Sequence, residues 1–138
     1  MKTIKQISIF LENQSGKLSD ILNALKDQNI EIQAASVADT TEYGILRLIT
    51  SDQKKASALL AGKGHLVNLN EVLAIQVEPD TAAFADAIDA LTRGGCSISY
   101  LYTFHKDGKL VLIIRSSDIQ KAESVAQANG LTLIQGWE

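Results

Sequence analysis

The sequence repeats its own plan after 66 residues, and this repeat limits the fold more than any other feature of the chain. When the chain is shifted by 66 positions without a gap, apolar positions of one half fall on apolar positions of the other. The matched pairs include Ile9 with Ile75, Leu46 with Leu112, Asp52 with Asp118, and Gly64 with Gly130. We therefore expect two domains that fold alike, residues 1–70 and 71–138.

Each half is expected to have the element order βαββαβ. In the first half, apolar alternation from Thr3 to Leu11 predicts a strand, and a helix with Ser15 as its N-cap follows. The inward face of this helix is predicted from the spacing of Leu18, Ile21, Leu22 and Leu25. Further strands are predicted at residues 30–39, 43–50 and 66–69, with a helix between the last two that begins at Asp52.

The second half gives the same order of elements. Strands are predicted at residues 72–77, 97–104, 109–115 and 131–134, and helices at residues 81–93 and 118–128. The fold class is therefore α+β, with two ferredoxin-like units side by side, each an antiparallel sheet with helices on one face. The strand that contains Leu110 to Ile114 is apolar at every position, so neither face suits water. Two explanations stay open, a homodimer that covers the sheet or an ordinary central strand.

Composition excludes several classes of protein. The chain of 138 residues is 46% hydrophobic and 21% charged, with a net charge of −3 and scattered Lys and Arg, so we expect no nucleic acid partner. Cys96 is the one cysteine, and His65 and His105 stand apart from acidic clusters, so we expect no metal site and no cofactor. No apolar run approaches the ~20 residues of a membrane span, and the N-terminus does not resemble a secretion signal. We expect a cytoplasmic protein without a membrane partner.

The segment Glu12 to Leu18 is the best candidate for a binding site. It joins the first strand to the first helix and contains Gly16, so the backbone N–H groups of the first helical turn are available to a small anion. The corresponding segment of the second half has Thr81 and Ala82 where a glycine would be expected. Because the repeated fold does not itself require Gly16, a binding role for the first segment is favoured.

The whole chain resembles a tandem pair of ACT domains, a family of regulatory units that bind amino acids. The resemblance is carried by Ile9 to Leu18, Asn29 to Ile32 and Ala35 to Gly44 in the first half, and by Val77 to Phe84 and Gly94 to Tyr100 in the second. The first of these segments is similar to the family's strand followed by D/N-x-P-G-x-L. Ser15 stands in place of the family's proline, and Pro79 stands at the D/N position of the second half.

The resemblance implies a free amino acid bound between the first loop of one unit and the second strand of its neighbour. Its carboxylate would accept hydrogen bonds from the Asn13 side chain and from the amides of Ser15, Gly16, Lys17 and Leu18. The ammonium group would be bound by main-chain carbonyls of an edge strand or by the carboxylate of Glu31, although serine-binding members of the family have asparagine at position 31. Asp39 and Tyr102 are further candidates that would reach the ligand from strands.

The function implied is that of a non-catalytic sensor or regulatory subunit, which we expect to be a homodimer and to act on a separate metabolic enzyme. Two alternatives stay open: a dimerisation module without a ligand, or a small enzyme on the same fold. We find no catalytic constellation of acid, base and nucleophile in the sequence. The ligand-free module would show no thermal shift with any amino acid.

Overall fold

The structure, a computed structural model, describes residues 2–12, 16–39 and 43–135. The elements are β1 (Ile4–Glu12), α1 (Lys17–Asp27), β2 (Ile32–Asp39), β3 (Tyr43–Thr50), α2 (Gln53–Gly62), β4 (Val67–Val77), α3 (Thr81–Arg93), β5 (Tyr100–Lys106), β6 (Lys109–Arg115), α4 (Ile119–Ala128) and β7 (Thr132–Leu133). The described residues form two compact units, one of residues 5–70 and one of residues 71–135 together with 2–4.

The first unit has the strand order β2-β3-β1-β4, and its neighbouring strands β1, β2 and β3 are antiparallel. Alternation along β1 places Ile7 and Ile9 on the face where α1 and α2 pack. The buried side chains of this core are Ile7, Ile9, Leu11, Ile21, Ala24, Leu25, Ile30, Leu46, Leu48, Ala56 and Leu60. Asp52 caps α2 as predicted, because its carboxylate accepts a hydrogen bond from the Lys55 N–H at 2.9 Å.

The second unit repeats this plan with the strand order β7-β4-β6-β5. Its core joins Leu73 and Ile75 of β4 to Leu112 of β6 and Leu91 of α3. The strands β5 and β6 form a hairpin: Lys106 pairs with Lys109 across a two-residue turn, and both turn residues have positive φ. The fold class is therefore α+β with two βαββαβ units and four helices, as predicted.

The repeat extends to individual backbone hydrogen bonds. The N–H of Ile30 donates to the carbonyl of Leu25 at 3.0 Å, and the N–H of Cys96, 66 positions later, donates to that of Leu91 at 3.0 Å. His65 donates to Leu60 at 3.1 Å in the same way that Leu131 donates to Ala126 at 3.0 Å. The shift of 66 residues therefore relates equivalent places in the two units, and a side chain can be compared with its counterpart.

Four details differ from the predictions. Leu22 was expected to face inward, but it is 37% exposed, and Ala24 is buried in the core instead. The N-cap of α1 is Gly16 and not Ser15, which itself lies outside the described residues. The strands predicted at residues 66–69 and 72–77 are one continuous strand, β4. The strand predicted from Ser97 begins at Tyr100, and Ser97 forms a hydroxyl–hydroxyl contact of 2.6 Å with Ser117.

The apolar strand β6 is buried on both faces. Leu112 lies in the core beneath the helices, and Val111 and Ile113, which alternate with it, are also 0% exposed in the single chain. A second copy is thus not needed to shield these two residues from water, and the homodimer stays a prediction. No helix among the described residues has the length and apolar character to cross a membrane.

Candidate functional site

The candidate site is built at the start of α1, where the chain turns from β1 into the helix. Gly16 is the N-cap and has φ 91° and ψ −10°, a left-handed conformation that glycine adopts at little cost. A β-carbon added to Gly16 would meet none of the described residues within 4 Å, so these residues leave the space beside it open. The first intrahelical hydrogen bond runs from the Asp20 N–H to the Gly16 carbonyl at 2.9 Å. The N–H groups of Lys17, Leu18 and Ser19 precede that bond and point out of the helix end.

The other three helices close their first turns with a carboxylate of the chain itself. Asp52, Asp80 and Asp118 accept hydrogen bonds from the N–H groups three residues later, at 2.9, 2.7 and 3.1 Å. No described side chain caps α1 in this way. Asp80 is the important comparison, because α3 is the counterpart of α1 in the second unit. The same helix end is therefore closed by a carboxylate in one unit and left uncapped by the described residues of the other.

The predicted site residues do not all come together. Asn13 and Ser15 lie outside the described residues, and Lys17 and Leu18 lie in the first turn of α1, where both are half-buried. Leu18 packs against the core of the first unit. Tyr102 lies on β5 of the second unit, paired with Ile113.

Two of the predicted site residues, Glu31 and Asp39, lie at opposite ends of β2. Asp39 pairs with Gly44, which also pairs with Leu11, so the end of β2 lies at the same end of the sheet as the start of α1. Glu31 precedes Ile32, which starts β2 and lies about 23 Å from Asp39 at the usual rise per residue. Glu31 and Gly16 of one unit therefore do not share a small ligand. The backbone of Glu31 is instead engaged with Ser51, donating to its hydroxyl at 3.0 Å and accepting from its N–H at 2.8 Å.

One residue that was not predicted as a site residue, His65, lies near the charges at the start of α1. The Nδ1 atom of His65 is buried, with no hydrogen-bond partner among the described residues. Burial lowers the pKa of His65, the charges of Lys17 and Lys63 lower it further, and Asp20 opposes them. The only sequence signal for this residue was its alignment with Leu131, an apolar residue in the second unit.

The chemistry available at the start of α1 is that of an anion receptor. Three backbone N–H donors, the positive end of the helix dipole and the Lys17 charge favour a carboxylate, while Asp20 limits the net positive charge. Among the residues that the structure describes, no group of three or more His, Cys, Asp or Glu side chains is arranged to hold a metal ion.

The fold, which places the candidate site at the start of α1, agrees with a known family of proteins. The family model that describes an ACT domain pair matches residues 2–137, and the chain belongs to this family. ACT domains are regulatory modules, so the family assigns this chain a regulatory role. No curated protein matches the sequence.

Solved structures show which proteins this chain resembles. Protein BT0572 from Bacteroides thetaiotaomicron is 33% identical, with a TM-score of 0.89 over 96% of this chain and 92% of that one. The regulatory subunit of aspartate kinase from Thermus thermophilus, in its ligand-free form, is 16% identical, with a TM-score of 0.62 over 91% of this chain and 90% of that one. The corresponding subunit from Thermus flavus is 16% identical, with a TM-score of 0.54 over 91% and 92%. The two subunits show similarity of fold.

Proposed function

We propose that this chain is a non-catalytic regulatory protein that binds a free amino acid at the start of α1. The observation that supports the proposal is the contrast between α1 and α3. In the second unit the Asp80 carboxylate accepts a hydrogen bond from the Ala83 N–H at 2.7 Å. In the first unit no described side chain does so, and Gly16 keeps the approach open. The carboxylate of an amino acid would occupy the place in the first unit that Asp80 occupies in the second.

Several contacts of the ligand stay predictions. Asn13 and Ser15 are proposed carboxylate donors beside the amides of Gly16, Lys17 and Leu18. Asp39 is the proposed acceptor for the ammonium group at this end of the sheet, since β2 ends where β1 ends. Glu31 does not reach a ligand bound at Gly16 of its own unit. Glu31 and Tyr102 stay candidates only for a ligand that Gly16 of another unit binds.

The proposed mechanism is thermodynamic linkage. An amino acid that prefers one arrangement of the protein stabilises that arrangement by its difference in affinity, and a separate metabolic enzyme would respond to the change. We also propose a cytoplasmic location and a homodimer, both of which were predicted from the sequence. We expect one amino acid to bind per chain, because the Asp80 carboxylate already caps α3, the helix of the second unit that corresponds to α1.

The test is a thermal-shift screen of the twenty amino acids on the full chain, followed by calorimetry of any hit. A ligand present at 100 times its Kd should stabilise the chain by about 2.7 kcal/mol, which is readily measured. Gly16→Ala should weaken binding because the left-handed conformation is strained for alanine and the added methyl group narrows the approach.

The matched control is Gly62→Ala, also in the first unit. A β-carbon at Gly62 meets nothing within 4 Å, its φ is not positive, and the second unit has Ala128 at this place. Binding should be unchanged in this variant. An absence of any thermal shift would favour the dimerisation module without a ligand. Equal loss of binding from Gly16→Ala and from changes at Thr81 and Ala82 would contradict the difference between the two units.

A further inference from the structure

The first unit has an ionisable residue in a place where the second unit has a core residue. The backbone N–H groups of His65 and Leu131 form equivalent hydrogen bonds, to the carbonyls of Leu60 and Ala126, so the two residues occupy the same place. Leu131 packs against the core of its unit. The ring of His65 puts a polar Nδ1 atom into this setting, buried and without a partner among the described residues.

The charges that act on the ring also differ between the units. The charges of Lys17 and Asp20, in the first turn of α1, and of Lys63, directly after α2, act on its pKa. At the three equivalent places the second unit has Ala83, Asp86 and Asn129. The second unit thus lacks both the histidine and the two positive charges.

We propose that His65 is a proton switch confined to the first unit: uptake of a proton by its ring loosens the packing of the loop between α2 and β4 against the start of α1. The proton would add a third positive charge beside Lys17 and Lys63, with Asp20 as the opposing charge, in a place where Nδ1–H would have no acceptor among the described residues. The proposal rests on the fold and does not require the proposed amino-acid site.

The sign of the pH dependence follows from the direction of the shift. Because the pKa of His65 is lowered in the folded chain, the unfolded chain takes up the proton first as the pH falls. The contribution of neutral His65 to the free energy of unfolding is therefore fully present well above pH 6.5. It decreases as the pH falls through 6.5 towards the lower pKa that His65 has in the folded chain. Each unit of difference between the two pKa values corresponds to a tenfold change in the equilibrium constant for opening.

The experiment is amide hydrogen exchange of the full chain at pH 7.5 and pH 5.5, corrected for the intrinsic effect of pH on exchange. We expect protection of α1 and of residues 60–67 to fall several-fold at the lower pH, while protection of α3 and of residues 126–133 stays constant. His65→Leu, which introduces the residue of the second unit, should remove the difference. An equal loss in both units, or the same loss in His65→Leu, would overturn the proposal.

Two further measurements do not depend on the folding of His65→Leu. An NMR titration of the wild-type imidazole signals should show His65 with a pKa below 6.5, and a pKa at or above 6.5 would overturn the proposal. Lys63→Asn, again the residue of the second unit, should raise the pKa of His65 and reduce the pH dependence of exchange. Burial and Lys17 affect the pKa of His65 more than Lys63 does, so an unchanged titration in Lys63→Asn would overturn only the role given to the Lys63 charge.

Discussion

The side-chain Oε1 of Gln53 accepts two hydrogen bonds from Thr50, one from its N–H at 2.7 Å and one from its hydroxyl at 2.6 Å. The same side chain donates from Nε2 to the carbonyls of Lys5 at 2.8 Å and Leu48 at 3.1 Å. Both Gln53 and Thr50 are buried. One amide therefore connects β1, β3 and the start of α2.

Gln53→Leu should destabilise the chain by roughly 2–4 kcal/mol, because it leaves the Thr50 N–H and two carbonyls without partners in a buried place. Chemical denaturation of the wild type and the variant would measure this difference. The control comes from the second unit, where Ser116 occupies the place of Thr50 and its buried Oγ has no partner among the described residues. Ser116→Ala should change stability by less than about 1 kcal/mol. Equal effects of the two changes would contradict this assignment.

Gly94→Ala should destabilise the second unit through a steric clash. A β-carbon at Gly94 would lie 2.5 Å from Cγ1 and 2.7 Å from Cγ2 of Val125, so α3 and α4 would have to move apart. We expect a loss of about 1–3 kcal/mol in thermal or urea denaturation. Val125→Ala should relieve part of the loss in the double variant, and additive effects of the two changes would argue against the clash. Gly62→Ala, with open space around its β-carbon, should stay within about 0.5 kcal/mol of the wild type.

Asp80→Ala should cost about 1 kcal/mol, since it removes the carboxylate that caps α3 and leaves the Ala83 N–H exposed at the helix end. The loss should appear in the denaturation midpoint of the chain. Asp89→Ala is the matched control, because Asp89 is exposed on the same helix and does not cap it. A similar loss in both variants would mean that net charge, and not the cap, is responsible.

If an amino acid binds at the start of α1, its carboxylate should raise the pKa of His65, because Lys17 and Asp20 of that first turn already act on the ring. Binding near pH 6 should then take up protons, and affinity should rise as the pH falls from 7.5 to 5.5. Calorimetry in two buffers of different ionisation enthalpy would measure the uptake. The His65→Leu variant should bind the amino acid without proton uptake. If the wild type also binds it without proton uptake, the linkage is refuted.

The sequence was sufficient to predict the repeat, the order of elements and most helix ends, because each of these depends on local patterns. Asp52 and Asp118 cap their helices as their positions before an apolar periodic run predicted. The period of 3.6 residues placed Leu22 and Leu25 on one helical face, but it could not say how wide the buried part of that face is. The sheet covers Ala24 and Leu25 and leaves Leu22 at the margin.

The site was harder to predict because it depends on which residues meet in space. A glycine between a strand and a helix marked Gly16, and the resemblance to a family supplied the other candidates. The distance between Glu31 and Gly16 follows from the direction of β2, which a list of motifs does not contain. His65 was not predicted as a site residue, because its buried Nδ1 atom and its charged neighbours become visible only in the fold.

The unbroken strand β4 makes the seam between the two repeats intolerant of changes in length. Side chains alternate between the faces of a strand, so one inserted residue near Asn70 would turn every following residue of β4 to the opposite face. Leu73 and Ile75 would leave the core of the second unit, and Val72 and Ala74 would take their places. An insertion of two residues would restore the alternation. Descendants of this duplication should therefore accept insertions in its surface turns more readily than at the junction where the two copies were joined.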